Sequence, residues 1–359
     1  MKKYMNNQLK DILDQNVTNK PDINKRISIA RATMYSLMGA GLHGINGINP
    51  TLAWKLWKIY VIPRMLYGIE TLSITLSDMQ KMEQFQKKTM KHILSLPSRT
   101  ADPAIYILLG AGTIEQIIHK AMISLFLRVI KDQNSLEYEI GLRQLSIKSE
   151  DSQSWFIKID KILRSYNLPS AHEIILQPKK NWKKITHTRI DMKWKEKWTN
   201  EAKLRSTLQY MEIEKWKIGK PNLCWSSVRD NKRDIQKGII KSRILTGTYK
   251  CQYNCNRFDK KVTPICRLCN NDKEDYSRFL LKCEMLDHTR KHHLNILNRF
   301  MEDNNLINLE LMNTDDKLLQ LIIDCSVTPL ITERHKNPID TICRNLIYAL
   351  HVKRSELLN

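Results

Sequence analysis

Apolar side chains recur every three or four positions through much of the first third of the chain, which is the spacing of one face of an α-helix. The pattern begins near Asn24, stops where glycines cluster at 39–47, and resumes in a segment that Pro63 kinks or ends. Two longer amphipathic segments follow, at 79–93 and 114–130. Methionine and aromatic residues at this spacing usually form a core, so we predict a helical bundle over 1–135.

The remaining sequence changes character three times. Residues 136–235 combine tryptophans with many lysines, residues 236–300 hold most of the cysteines, and residues 301–359 end in a helical pattern. Asn337 and Pro338 begin that last helix, as a cap and a first-turn proline. We therefore predict a mostly α-helical protein with a basic helical linker, a small cysteine module and a helical tail behind the bundle.

Positive charge is concentrated in one part of the sequence. The 359 residues carry a formal net charge of +22, from 59 Lys and Arg against 37 Asp and Glu. Between Lys179 and Lys261 there are 23 Lys and Arg against 8 Asp and Glu, a surplus of 15 in under a quarter of the chain. A partner with regular negative charge, RNA or DNA, is the natural interpretation. A solubilising surface would have the same composition.

Tryptophans and cations interleave within this basic stretch. Trp194 and Trp198 are four residues apart, so they share one face of a helix. We predict that the tryptophans pack into a core and that the cations contact phosphates. The predicted contact residues are Lys179, Lys180, Lys183, Lys184, Arg189, Lys193, Lys197 and Arg243.

Five of the eight cysteines lie between positions 241 and 290. Cys266 and Cys269 form a CxxC pair, which turns two thiols toward one point, and Cys283 follows after thirteen intervening residues. Together they are most of a tetrahedral zinc site. The candidates for the fourth ligand are His288, which we favour, Cys255, Cys251 and His292. Alternatively, the three cysteines are reduced and packed as small hydrophobic side chains.

Several short strings occur in a defined order along the chain. Residues 60–70 read Y-x-x-P-x-x-x-Y-G-x-E, and residues 244–249 read ILTGTY. The CxxC, the acidic pair Glu274-Asp275, the string FLLKC at 279–283 and Arg290 follow. In this order the strings resemble the C-terminal region of non-LTR (LINE-type) retrotransposon polyproteins, downstream of the reverse transcriptase palm.

The resemblance implies a thumb-like helical region and a linker, followed by a zinc-knuckle-like module. In that family these parts grip template and primer and help to recognise element RNA or target DNA. The family's histidine falls at Arg278, and a guanidinium stays protonated and cannot ligate zinc, although its charge would lower the pKa of nearby thiols. The palm's catalytic aspartate pair has no counterpart, because Asp315-Asp316 follows the cysteines and precedes a helical run.

We therefore expect a non-catalytic nucleic-acid-binding fragment of such a reverse transcriptase, with zinc as its cofactor and RNA or DNA as its partner. Two alternatives remain: an accessory part of a split polymerase whose palm is a separate chain, and an inactive relic of a decayed element. No apolar run reaches the roughly 18 residues that span a bilayer, and the N-terminus lacks a signal-peptide pattern. We expect no membrane partner and a nuclear or cytoplasmic location, where cysteines stay reduced.

Overall fold

The computed structural model describes residues 20–177, 181–306, 314–329 and 331–359, and within these ranges the chain is mostly helical, as predicted. The described residues contain no β-strand beyond the isolated bridges Lys217–Lys220 and Ile265–Lys273. The α-helices, numbered in chain order, are α1 Lys20–Met38, α2 Pro50–Leu56, α3 Ile62–Leu66, α4 Leu76–Ile93, α5 Asp102–Leu109, α6 Ile114–Val129, α7 Leu136–Ile147, α8 Trp155–Ser165, α9 Ala171–Leu176, α10 Trp182–Lys203, α11 Leu223–Ser226, α12 Lys232–Leu245, α13 Gln252–Phe258, α14 Asp287–Asp303, α15 Asp315–Ile323 and α16 Glu333–Leu358.

Packing divides the chain into two compact units, each made of separate stretches of sequence. Unit 1 comprises Met1–Gly39, Leu56–Lys88 and Gly112–Lys197. Unit 2 comprises Ala40–Lys55, Thr89–Ala111 and Trp198–Asn359. The two units do not test the predicted division into residues 1–135, 136–235, 236–300 and 301–359, which stays a prediction.

The start of α6 in unit 1 is fixed by a capping box. The Thr113 hydroxyl accepts a hydrogen bond from the Gln116 N–H (3.0 Å), and the Gln116 side chain accepts one from the Thr113 N–H (3.2 Å). These two bonds satisfy N–H groups that have no partner within the helix. The helix then packs against α8. Its buried residues Ile118, Met122 and Phe126 form part of the core of unit 1.

Pro63 produces a kink rather than an end, and the kink takes the form of a π-helical turn. Residues Trp57–Val61 form this turn, and α3 continues directly from Ile62. Proline has no N–H to donate and its ring clashes with the carbonyl one turn earlier, so a wider turn in front of it relieves the conflict. The Trp57 side chain is fully buried, so the widened turn places an aromatic ring in the core of unit 1.

Helix α16 is the central element of unit 2, and α12, α14 and α15 all pack against it. Its apolar residues Leu346, Ile347 and Leu350 are buried. Gly238 in α12 allows close packing, because a Cβ atom at this position would lie 2.9 Å from the Trp225 ring. Replacing this glycine would therefore force Trp225, which is fully buried, to move.

A charged cluster lies inside the core of unit 2. The Lys241 ammonium is 2.6 Å from Asp340 Oδ1, and the Arg344 guanidinium is 2.8 Å from Asp340 Oδ2. The hydroxyl of Ser227 donates to the same carboxylate at 2.6 Å. Side chains of all three charged residues are at most 1% exposed. The cluster therefore joins α12 and α16 through groups that cannot separate without leaving a buried charge unpaired.

Candidate functional site

Two turns bring three cysteines of unit 2 together. Cys266 begins a turn closed by its N–H donating to the Asp272 carbonyl (2.8 Å), and Asn270 adopts a positive φ of 52° within it. Cys283 follows the π-helical turn Arg278–Lys282 and donates its N–H to the Arg278 carbonyl (2.8 Å). The Sγ atoms of Cys266 and Cys283 are 3.9 Å apart. The sulfurs of Cys266, Cys269 and Cys283 all lie within 4.8 Å of one another and can hold a metal ion.

Arg290 holds the backbone around Cys283. This side chain is 4% exposed, and its guanidinium donates to the Leu280 carbonyl at 2.9 Å and to the Cys283 carbonyl at 2.7 Å. These bonds fix the direction in which the Cys283 thiol leaves the chain. The sequence strings include Arg290 without indicating this role, because its partners are backbone oxygens that carry no residue signature.

Glu274 ties the cysteine turn to the helices beside it. Its carboxylate is buried and accepts a hydrogen bond from the Gln252 N–H at the start of α13 (2.7 Å). Arg354 of α16 makes a two-pronged ion pair with the same carboxylate, at 2.6 and 3.0 Å. Paired carboxylate–guanidinium contacts of this kind are strong and directional. Glu274 is therefore a structural residue of the module, and sequence reasoning alone did not assign it.

Arg278 lies beside the thiols, in the place of the histidine that the resemblance leads one to expect. Its Nη2 donates to the Cys269 sulfur at 3.2 Å, and its Nη1 is 3.4 Å from the Asp272 carboxylate. A guanidinium donates hydrogen bonds and cannot bind a cation as a ligand. Arg278 thus supplies positive charge next to the cluster, where the described residues bring together three thiols that can hold a metal ion.

The thiols of the cluster differ in acidity. Burial raises the pKa of the Cys283 thiol to about 12, and the neighbouring Cys266 sulfur adds to this rise. Burial also acts to raise the pKa of Cys269, but hydrogen bonds from the Asn271 backbone and from Arg278 outweigh it, so that this pKa is lowered to about 7. Of these two thiols, Cys269 therefore ionises more readily than Cys283.

His288, predicted as the fourth ligand, does not belong to the cluster that the described residues form. It is exposed in the first turn of α14, and the group of metal-binding side chains contains the three cysteines without it. The alternative ligands Cys251, Cys255 and His292 are also outside this group. The reason is the register of α14, which turns Arg290 rather than His288 toward the Cys283 loop.

The basic residues predicted on 181–210 lie along α10, in unit 1. Lys183, Lys184, Arg189, Lys193 and Lys197 are all exposed, whereas Trp182 and Trp194 are 7% and 8% exposed. The prediction that the tryptophans belong to the core is confirmed, and the prediction that the cations contact phosphates stays a prediction. Lys179 and Lys180 lie outside the described residues.

Four of the predicted cations have structural partners, and one of them, Lys197, places its ammonium 4.4 Å from the centroid of the Trp194 ring. Arg189 donates to the Tyr166 carbonyl at 3.1 Å, and Lys193 donates to the Ser165 carbonyl. Arg243, in unit 2, donates from Nε and Nη2 to the Ser95 carbonyl at 3.1 and 2.9 Å, and it is only partly exposed. Arg243 therefore holds the loop at Ser95 within unit 2 and is less exposed than the predicted cations of α10.

Comparison of this chain with protein-family models, with curated proteins and with solved structures finds no match. Among the described residues, no helix is both long enough and apolar enough to cross a membrane. All eight cysteines are free. The cysteine cluster and the exposed charge of α10 are therefore the features of the molecule that bear on its function.

Proposed function

We propose that this protein is a non-catalytic nucleic-acid-binding component similar to the region behind the palm of a non-LTR retrotransposon reverse transcriptase. The observation that carries the proposal is the exposure of the five predicted cations on α10 above a face of buried tryptophans. A helix of this kind presents charge on a rigid support, which suits a phosphate backbone. Free cysteines suit a reducing compartment, the nucleus or the cytoplasm.

The spacing of the α10 cations supports contact with a regular array of negative charges. Arg189, Lys193 and Lys197 follow one another at intervals of four residues. With a rise of about 1.5 Å per residue, their side chains leave the helix roughly 6 Å apart along its axis. Arg189 and Lys193 each keep N–H donors beyond the one that binds a backbone carbonyl, so successive side chains can still engage successive phosphates of one strand.

The cysteine cluster supports a zinc-knuckle-like module within the same proposal. Three thiols within 4.8 Å of one another provide three corners of a zinc site, and zinc would fix the turn at 266–269 against Cys283. Asp315 and Asp316, the adjacent carboxylates, lie in the first turn of α15, where Thr314 caps the helix. Carboxylates in that place stabilise the helix start, which supports a binding role rather than catalysis for this chain.

Substitution of two exposed lysines on α10 tests the proposal. In Lys183→Gln/Lys184→Gln, affinity for a labelled single-stranded RNA or duplex DNA should fall for every sequence tried. The slope of log affinity against log salt should become shallower by about 1.4 for single strands and about 1.8 for B-DNA, if each lysine neutralises one phosphate. The measurement is fluorescence anisotropy between 50 and 200 mM salt.

The matched control is Lys131→Gln/Lys148→Gln, which removes the same charge from exposed positions of unit 1 outside α10. If both double variants change the slope equally, only net charge matters and α10 is not the contact surface. If neither changes affinity, the basic residues serve solubility alone and the proposal is wrong.

A further inference from the structure

A polar cavity of about 490 Å³ lies within unit 2, and the cysteine cluster does not line it. This volume falls in the range of roughly 300–1,000 Å³ that small-molecule sites occupy. Tyrosine, amide, cationic and carboxylate side chains all border it, including Tyr210, Tyr253, Tyr276, Asn254, Lys273 and Asp316. A ligand of this cavity must therefore suit aromatic rings as well as positive and negative side chains.

Asn254 is an oriented hydrogen-bonding group in the wall. It is 6% exposed, and its amide nitrogen donates to the Tyr249 carbonyl (3.0 Å) and to the Tyr276 hydroxyl (2.9 Å). Both amide protons are thereby engaged, and Oδ1 is the remaining polar atom of this side chain. An acceptor held in this way matches the exocyclic or ring N–H groups of a nucleic-acid base.

The rings and the cations of the cavity are close together. The Lys273 ammonium lies 3.5 Å from the centroid of the Tyr253 ring, and both residues line the cavity. Arg257, which also lines it, is exposed. Tyrosine rings offer stacking surfaces for any base, and the cations suit a phosphate attached to it.

Two carboxylates complete the lining. Asp275 and Asp316 both border the cavity. Burial raises the pKa of the Tyr210 hydroxyl, and the charges of Asp316 and Asp275 add to this rise, so both carboxylates lie near that ring. A ligand that was only anionic would be repelled by them. Carboxylates are common acceptors for ribose hydroxyls, so their presence suits a ligand that carries hydroxyl donors as well as a phosphate.

We propose that this cavity binds one unpaired ribonucleotide of an RNA strand, with the base against the tyrosines, the phosphate near Lys273 and Arg257, and the ribose hydroxyls near Asp316. A ribonucleotide carries all three chemistries in one unit, whereas a free anion or an apolar ligand carries only one. The 2′-hydroxyl is the group that separates RNA from DNA at such a site. This inference rests on the proposed nucleic-acid-binding function and adds a preference for RNA.

The test is a ligand-observed NMR titration of adenosine 5′-monophosphate with the whole 359-residue chain. Adenosine monophosphate should bind saturably, and its 2′-deoxy form about tenfold more weakly, since a hydrogen bond to a charged acceptor is lost. Tyr253→Leu should weaken adenosine monophosphate about tenfold, through loss of stacking. Asp316→Asn, an exposed position, should bring the two nucleotides close to equal affinity.

Tyr60→Leu is the matched control, because Tyr60 is 49% exposed and belongs to unit 1. It should bind both nucleotides as the wild type does. The inference is overturned if adenosine monophosphate does not bind, if the deoxy form binds equally well, if inorganic phosphate competes as effectively as the nucleotide, or if Tyr253→Leu and Asp316→Asn both leave binding unchanged.

One double variant distinguishes a failure of this inference from a failure of the proposed function. Lys183→Gln/Lys184→Gln should leave binding of the mononucleotide unchanged, because neither lysine lines the cavity. Salt-dependent binding of long RNA without binding of adenosine monophosphate would overturn the cavity alone. Binding of the mononucleotide without salt-dependent binding of long RNA would overturn the function proposed for α10.

Discussion

Removing one thiol from the cysteine cluster should abolish zinc binding by the whole chain. A Zn–S bond is about 2.3 Å, so two thiolates on a tetrahedral zinc ion lie roughly 3.8 Å apart. The Cys266 and Cys283 sulfurs are already 3.9 Å apart, and all three sulfurs lie within 4.8 Å. The cluster therefore has to close by at most about 1 Å to reach zinc-binding distances. We expect one zinc per chain in the wild type and none in Cys266→Ser.

The charge of Arg278 should also affect the affinity of the cluster for zinc. Zinc with three thiolates carries a net charge of −1, and the Arg278 guanidinium, 3.2 Å from the Cys269 sulfur, provides the balancing positive charge. Groups that hydrogen-bond to a metal ligand typically change metal affinity 10- to 100-fold. We expect Arg278→Gln to weaken zinc binding by about that factor. Arg278→His, which offers a neutral nitrogen ligand, should bind zinc more tightly than Arg278→Gln.

Elemental analysis of the purified protein gives the zinc stoichiometry, and competition with a chromophoric chelator gives the relative affinities. Arg267→Gln is the control, because Arg267 lies between the two cysteines of the CxxC, is exposed and carries the same charge. The reasoning is refuted if the wild type contains no zinc, if Cys266→Ser retains it, or if Arg267→Gln and Arg278→Gln weaken binding equally.

Two further predictions concern stability. Burial lowers the pKa of His119 to about 4 from its usual 6.5. As pH falls, the unfolded chain therefore binds the proton before the folded protein does. The free energy of unfolding of the wild type should fall by roughly 3 kcal/mol relative to that of His119→Asn between about pH 6.5 and pH 4. Urea unfolding of both proteins across this range measures the difference, and equal pH profiles would contradict it. Asp340→Asn leaves Lys241 and Arg344 buried without their counter-charge and should cost about 3–5 kcal/mol, whereas Glu333→Gln, in a pair whose carboxylate is 88% exposed, should cost under about 1 kcal/mol. Equal midpoints for these two variants in denaturant unfolding would contradict the second prediction.

The local parts of the fold follow from residue spacing. The three- to four-residue period of apolar positions predicted α1, α4, α6 and α16, and the spacing of Trp194 and Trp198 predicted the buried face of α10. The CxxC and Cys283 were predicted to meet, because a CxxC turn already brings two thiols together and only the segment that carries Cys283 then has to be positioned. Information within a few residues was sufficient in each of these cases.

The features that sequence reasoning missed depend on contacts between distant residues. Lys241 and Asp340 are 99 positions apart, and each alone reads as an ordinary surface charge. Arg290 and Glu274 were visible in the strings, but their partners are backbone groups and Arg354, which no spacing links to them. His288 was predicted as the fourth ligand, and it lies in the first turn of α14, outside the group of three cysteines.

The salt dependence of RNA binding by the wild-type chain tests the central claim most directly. Five of the predicted contact residues are exposed cations on α10, and if each neutralises one phosphate of a single-stranded RNA, log affinity should fall linearly with log salt with a slope of about −3.5. Fluorescence anisotropy of an unstructured labelled RNA between 50 and 200 mM salt measures this slope. A linear fall of about that steepness supports a phosphate-binding surface on α10. Affinity that does not change with salt, or no binding at the lowest salt, would contradict the proposed function.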